Sequence, residues 1–331
     1  MRTPTERFVE TNGIRLRVLE AGDRGAPLVV LAHGFPELAY TWRHQIPALA
    51  EAGFHVLAPD QRGYGASSKP HAVDAYTMVE LSADIVGLLD EAGAARAAVV
   101  GHDFGGVVAW TAPLLYPDRF AAVAGLSVPP VPRPRVPTTE AFRRIFGDNF
   151  FYILYFQEPG PADAELNRDP AVTMRKLFGS LTPADQAAAV RMTHPGPEGF
   201  LERLPDPGVL PDWISGDEFD RYVAEFARNG FTAPLNWYRC FDRNWELTAP
   251  SPSGRPAATI DVPSLFIGGA NDPTLAYTPR HRVHEVVTGE YREVMIDGAG
   301  HWLPEERPAE VNAELLKFLA DVEFVGTAAP A

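Results

Sequence analysis

The segment Gly101-His102-Asp103-Phe104-Gly105 puts a carboxylate where a G-x-S-x-G elbow carries a serine. An apolar run, Ala97-Ala98-Val99-Val100, precedes it, and a helical stretch begins at Gly106. The flanking glycines permit the tight strand-to-helix turn that pushes one side chain into the open. With an ordinary pKa of about 4, an aspartate there needs no base to deprotonate it. It can attack carbon directly and leave an alkyl ester on the protein. That chemistry is displacement at a saturated carbon, not hydrolysis of a ready-made ester. Taken alone, Asp103 also fits a helix N-cap.

Three further loops carry usable groups. His33-Gly34-Phe35-Pro36-Glu37 follows the apolar run 27–32. A loop in that place supplies one oxyanion N–H, assigned to Phe35, while Phe104 supplies the other. His33 reads as a brace for the loop, and Pro36 as a candidate cis bond. Asp272 lies in Gly269-Ala270-Asn271-Asp272-Pro273, and His301 in Asp297-Gly298-Ala299-Gly300-His301-Trp302. The chain order nucleophile, acid, histidine is the one that accompanies such an elbow. His301 would be the general base and Asp272 would fix its tautomer. Once Asp103 is esterified, His301 can deprotonate the water that attacks the ester carbonyl, with the Phe35 and Phe104 amides holding the oxyanion. If the leaving oxygen is an alkoxide, it needs an acid. The sequence shows no cluster with metal-ligand spacing and calls for no cofactor, so a phenol is the expected donor. Residues 150–160 offer Tyr152 and Tyr155, and residues 235–239 offer Tyr238, although aromatics in helices are more often core.

These groups need a sheet to bring them together. Arg15 to Glu20 alternates with period two, as an antiparallel strand with one wet face should. Continuous apolar runs at 27–32, 54–59 and 97–101 suit strands buried on both faces. Further strands are expected at 120–128, 262–268 and 291–296. Helices are expected at 78–92, with Leu81, Ile85, Leu88 and Leu89 on one face, and at 308–322, with Val311, Leu315, Leu316 and Leu319. Alternating strands and helices imply an α/β fold with a mostly parallel sheet, and its working residues belong at the carboxyl ends of the strands. From Arg133 to about Thr248 the composition shifts to helical patches, aromatics and prolines, for example at 138–146, 183–192 and 218–228. The expected organisation is therefore a core, 1–132, an inserted helical cap, 133–248, and the rest of the core, 249–331. The tail after Phe324 is expected to fray.

With 331 residues, 46% of them hydrophobic and 22% charged, the chain has the balance of an ordinary globular enzyme. A net charge of −14 disfavours nucleic acid and anionic membranes as partners, since both select Lys/Arg patches. The lone Cys240 excludes an internal disulfide. With no apolar leader core and no membrane-length apolar run, the cytoplasm is the expected compartment. A homo-oligomer is left open.

Over nearly its whole length the chain resembles the soluble epoxide hydrolases of the α/β-hydrolase superfamily. The matching stretches are His33-Gly34-Phe35-Pro36-Glu37, Asp60-Gln61-Arg62-Gly63-Tyr64-Gly65, Gly101-His102-Asp103-Phe104-Gly105-Gly106, Tyr155-Phe156-Gln157-Glu158-Pro159-Gly160, Asn236-Trp237-Tyr238-Arg239 and Gly300-His301-Trp302. The resemblance implies an α/β-hydrolase core with an inserted helical cap. It also implies conversion of an epoxide and water to a vicinal diol, with two cap tyrosines binding and protonating the epoxide oxygen. By position these are Tyr152, preferred over Tyr155 on spacing, and Tyr238. A small lipophilic epoxide is the expected substrate, in a pocket lined by groups such as Phe35, Trp42, Phe104, Phe151 and Trp237. The main rival is a haloalkane dehalogenase of the same fold. That family commonly carries Trp directly after the nucleophile, and Phe104 has no ring N–H to offer a halide. A small-ligand receptor on this fold would have no use for the triad.

Overall fold

The computed structural model describes residues 4–182, 187–253, 256–278 and 280–324. Eight strands form one sheet: β1 (Thr5–Thr11), β2 (Ile14–Ala21), β3 (Leu28–Ala32), β4 (His55–Pro59), β5 (Ala97–His102), β6 (Phe120–Leu126), β7 (Ser264–Gly269) and β8 (Tyr291–Ile296). Their spatial order is β1-β2-β4-β3-β5-β6-β7-β8. β1 pairs antiparallel with β2, and β2 with β4, while the remaining pairs are parallel. The chain moves from β3 outward to β4, then crosses back to β5 on the other side of β3. Loops after β3 and β5 therefore part at a switch point, where a crevice opens at the strand ends. Ala32 pairs with Gly101, so both loops leave the sheet at the same level.

Strands β3 and β5 are buried along their whole length. Leu28, Val30, Ala97 and Val99 face one core layer, whereas Val29, Leu31, Ala98 and Val100 face the other. The helix Met78–Glu91 packs Leu81, Ile85, Leu88 and Leu89 into the first layer. The helix Pro308–Ala320 packs Val311, Leu315 and Leu319 into the second. β1 escaped the sequence reading for a physical reason: it is an edge strand in which only Val9 is buried, so it carries no apolar pattern. β6 stops two residues short of the expected end, because Ser127 takes a left-handed φ of 64°.

Between β6 and β7 the described chain is helical, from Thr138–Phe146 to Phe241–Leu247. The buried apolar residues of this segment all join the first core layer, so it covers one side of the strand ends. Its helices start and stop by local chemistry. Ser215 and Glu218 form a reciprocal capping box for Gly216–Asn229, which ends at Gly230 with φ 69°. Asp169 accepts from the Ala171 and Val172 amides to start Pro170–Gly179. Of the helical patch expected at 183–192, residues 183–186 lie outside the described residues and Ala188–Arg191 is helical. The tail from residue 325 also lies outside them.

Candidate active site

Asp103 sits between β5 and the helix Phe104–Leu115 with φ 50° and ψ −122°, an unusual conformation for a residue with a side chain. Its neighbours explain how it is held. A Cβ on Gly101 would fall 2.0 Å from the Gly105 carbonyl oxygen, and one on Gly105 would fall 2.1 Å from that of Ala32. The elbow can therefore close only with glycine at both positions. The loop after β3 meets it head-on: the Phe35 amide donates to Asp103 Oδ1 at 2.8 Å, and the Phe35-Pro36 bond is cis. Phe104 opens the following helix, where first-turn amides have no intrahelical acceptor.

On the opposite side, His301 Nε2 lies 3.3 Å from Asp103 Oδ2, and His301 Nδ1 lies 2.9 Å from Asp272 Oδ2. Asp272 Oδ1 accepts from the Thr274 amide at 2.8 Å and the Thr274 hydroxyl at 2.7 Å. Burial by itself would lower the pKa of His301. The charges of Asp272 and Asp103 outweigh it and raise the pKa well above the usual imidazole value. Burial would likewise raise Asp103, but the bond to His301 and the two nearby histidines hold it below the ordinary carboxylate range. Both shifts favour an imidazolium beside charged carboxylates.

Tyr152 and Tyr238 share a cavity wall with Asp103 and His301, their rings 6.0 Å apart. Burial, followed by the charge of Asp103, pushes both phenols above their ordinary pKa, so both keep their protons. Tyr155 lies off this wall and gives its hydroxyl to Glu165 Oε2 at 2.9 Å. The two tyrosine-bearing segments are stitched together by the residues around them. Gln157 Nε2 donates to the carbonyls of Ile153 and Tyr238, each at 2.9 Å, and Arg239 Nε donates to the Phe156 carbonyl at 3.2 Å. The arrangement joins a carboxylate, an imidazole aimed at it and two proton-bearing phenols around one apolar chamber.

Comparison with known proteins agrees with that chemistry. The profile of the alpha/beta hydrolase fold family matches residues 27–308. The chain is 65% identical to Epoxide hydrolase A of Mycobacterium tuberculosis, over 98% of its own length and 100% of that protein's. The chain belongs to the epoxide hydrolases of the alpha/beta hydrolase fold family. The crystal structure of Epoxide Hydrolase A from Mycobacterium thermoresistibile aligns with a TM-score of 0.93 at 63% identity, covering 97% of this chain and 99% of that one. Epoxide hydrolase I of potato (Solanum tuberosum) aligns at 0.84 with 32% identity, covering 96% and 99%.

The chamber of this epoxide hydrolase corrects the expected pocket lining. Phe35 does line it, together with Phe156, Leu177, Leu181 and Phe200. Trp42 does not: it is fully buried in the other core layer, with Ile46, Leu49 and Leu315. Trp237 is also fully buried, donating its indole N–H to the Arg62 carbonyl at 3.0 Å and packing on Tyr64 and Phe104. Phe151 stacks on Phe146 at 3.9 Å behind Tyr152, and the Phe104 ring backs Tyr238 at 4.8 Å. These three rings support the wall from behind.

Several residues of the enzyme's site were not assigned from sequence. The His102 ring gives Nε2 to the His301 carbonyl at 2.8 Å and Nδ1 to the Glu37 carboxylate at 2.9 Å. Burial would lower its pKa, but the Glu37 charge reverses that and raises it. Since a carbonyl only accepts, His102 carries a proton on Nε2, and its raised pKa favours a second on Nδ1 facing Glu37. Glu37 also accepts from the Gly34 amide at 2.6 Å, so one buried ion pair ties the oxyanion loop to the His301 backbone. Ser127 Oγ donates to the same His301 carbonyl at 2.6 Å, and the Leu181 carbonyl accepts from the His301 amide at 3.0 Å. Glu306 accepts from the flanking Gly300 and Trp302 amides at 2.7 and 2.9 Å. The one available signal was position: His102 closes β5, Ser127 follows β6 directly, and Glu37 stands in the loop after β3. His33 braces its loop, with Nδ1 on the Gly34 carbonyl and Nε2 accepting the Gln61 amide, both at 3.0 Å.

Proposed function

We propose that this epoxide hydrolase opens a small lipophilic epoxide through a covalent ester on Asp103 and releases a vicinal diol. Asp103 Oδ2 attacks an oxirane carbon. The O–C bond forms, the ring C–O bond breaks, and the freed oxygen takes a proton from Tyr152 or Tyr238. Oδ1, already held by the Phe35 amide, becomes the ester carbonyl oxygen and stays in the oxyanion site with the Phe104 amide. Esterification removes the charge of Asp103, one of the causes that raise His301, so its pKa falls; its Nε2 proton goes to the phenolate that the ring opening leaves, which restores the phenol and frees His301 to act as a base. His301, oriented by Asp272, takes a proton from water as the water oxygen adds to the ester carbonyl carbon. Collapse breaks the bond from that carbon to Oδ2. The expelled alkoxide takes the proton held by His301 and leaves as the diol with the former aspartate oxygen, while the water oxygen remains on Asp103, whose carboxylic acid returns its proton to His301.

The observation that supports this most strongly is the convergence of Asp103, His301, Tyr152 and Tyr238 on one chamber. A His301→Gln variant incubated with styrene oxide should accumulate the substrate's mass on the peptide containing Asp103. Wild-type enzyme turned over in oxygen-18 water should carry the label in the Asp103 carboxylate. An unmodified Asp103 in both experiments would end the covalent scheme. The proposal also divides the chain into core 1–132, cap 133–248 and core 249–331. Among the described residues no helix is long and apolar enough to cross a membrane. A cytoplasmic setting is part of the proposal, supported by the buried free thiol of Cys240.

A further inference from the structure

The chamber wall beside Trp302 carries a polar group that the proposed chemistry does not use. Ser180 follows the helix Pro170–Gly179, fully buried, on the cavity wall among Leu177, Leu181, Met192 and Leu204. Both its backbone groups are occupied: its amide donates to the Leu177 carbonyl at 3.2 Å, and its carbonyl accepts from Trp302 Nε1 at 3.2 Å. Its hydroxyl has no partner among the described residues. No other side chain of the described cavity wall has a polar atom that is both fully buried and unpartnered. Thr274, on the same wall, commits its hydroxyl to Asp272.

A buried hydroxyl without a partner is unfavourable, and native proteins keep few of them. A resident water would need two to four polar contacts, and the aliphatic wall around Ser180 offers few. A hydroxyl rotor, by contrast, can donate to a carbonyl or ether oxygen or accept from an alcohol. We propose that Ser180 is a specificity residue, and that the preferred substrates are epoxides whose hydrocarbon tail carries an oxygen able to hydrogen-bond it. This rests on the epoxide reading and adds the chemical class of the tail. The reactive end binds the oxirane through Asp103 and the phenols, the apolar middle holds the chain, and Ser180 reads one position along it.

The test uses two series of 1,2-epoxyalkanes with wild-type enzyme and Ser180→Ala. One series is plain hydrocarbon. In the other a single ketone is moved carbon by carbon along the tail. In the wild type, one ketone position should exceed its neighbours in kcat/KM by about three- to tenfold, the worth of one neutral hydrogen bond. Ser180→Ala should erase that preference, so that kcat/KM no longer depends on where the ketone stands. A flat ketone series, or a preference that survives in Ser180→Ala, overturns the assignment. Failure of wild-type enzyme to form diol from either series would overturn the epoxide reading and this inference with it.

Discussion

The two phenols make the most discriminating test of the site. Tyr238 is packed edge-on against Phe35, Phe104 and Phe156 at 5.4, 4.8 and 5.2 Å, and Tyr152 edge-on against Phe151 and Phe156 at 5.2 and 5.6 Å and tilted against Phe200 at 5.9 Å. A Tyr→Phe change at either position keeps the ring and its packing, so it removes only a proton donor. Neither hydroxyl has a protein hydrogen-bond partner among the described residues, so no other bond is lost. Removing one donor to a developing oxyanion costs about 3–4 kcal/mol, or a factor of about 10²–10³. Either phenol alone can still supply the single proton the alkoxide needs. Each single variant should therefore slow esterification by about 10²-fold, and the double variant by more than the product of the two. The assay is a single turnover with excess enzyme, quenched at intervals and read by mass spectrometry as ester on Asp103. Tyr155→Phe is the control, because its hydroxyl serves Glu165, and it should esterify at the wild-type rate. The reasoning fails if Tyr238→Phe stays within twofold of wild type, or if Tyr155→Phe slows the step as much.

Other consequences are simpler to check. His301 titrates well above the usual imidazole value while Asp103 is charged, and lower once Asp103 is an ester. The acid limb of kcat should therefore lie below the His301 pKa of the free enzyme, with kcat falling as pH drops and the base becomes protonated. NMR titration of free-enzyme His301 at or below 6.5 would contradict this. Glu306→Ala strips two backbone amides beside His301 of a carboxylate, and bonds to charged acceptors are worth about 1.5–3 kcal/mol each. It should lower kcat by about tenfold with KM little changed, and depress Tm in a thermal melt. Gly34→Ala would place a methyl 2.4 Å from Asp103 Cβ and 2.7 Å from the His102 carbonyl oxygen, and should abolish diol formation.

The sheet and the triad were legible for the same reason. A strand buried on both faces has no choice but a continuous apolar run, and a residue that must act at its end comes next in the chain. Asp103 and Asp272 follow such runs by one and three residues, and His301 follows β8, an edge strand in which only Ile296 is buried, by five, so sequence proximity and spatial proximity coincide. Long-range partners obey no such rule. Glu37 meets His102 across 65 positions, and Ser127 meets the His301 carbonyl across 174. Each is a single polar residue whose role exists only once the sheet has brought distant loops level.

The pocket aromatics show where composition stops being informative. Trp237 and Tyr238 are neighbours on one helix, and so their side chains point about 100° apart. One can face the chamber only if the other turns into the core. Phe151 and Tyr152 divide in the same way: the phenylalanine stacks on Phe146 while the tyrosine lines the chamber. In each pair the apolar ring sets where the phenol stands, and Gln157 fixes one tyrosine segment against the other through two carbonyls. A carboxylate elbow alone serves any displacement at carbon. Placing two protons over it requires both helices, their backing rings and the bridge between them to agree. The two cap motifs are thus more specific than the nucleophile motif because they encode a relative position, whereas the elbow encodes a single turn.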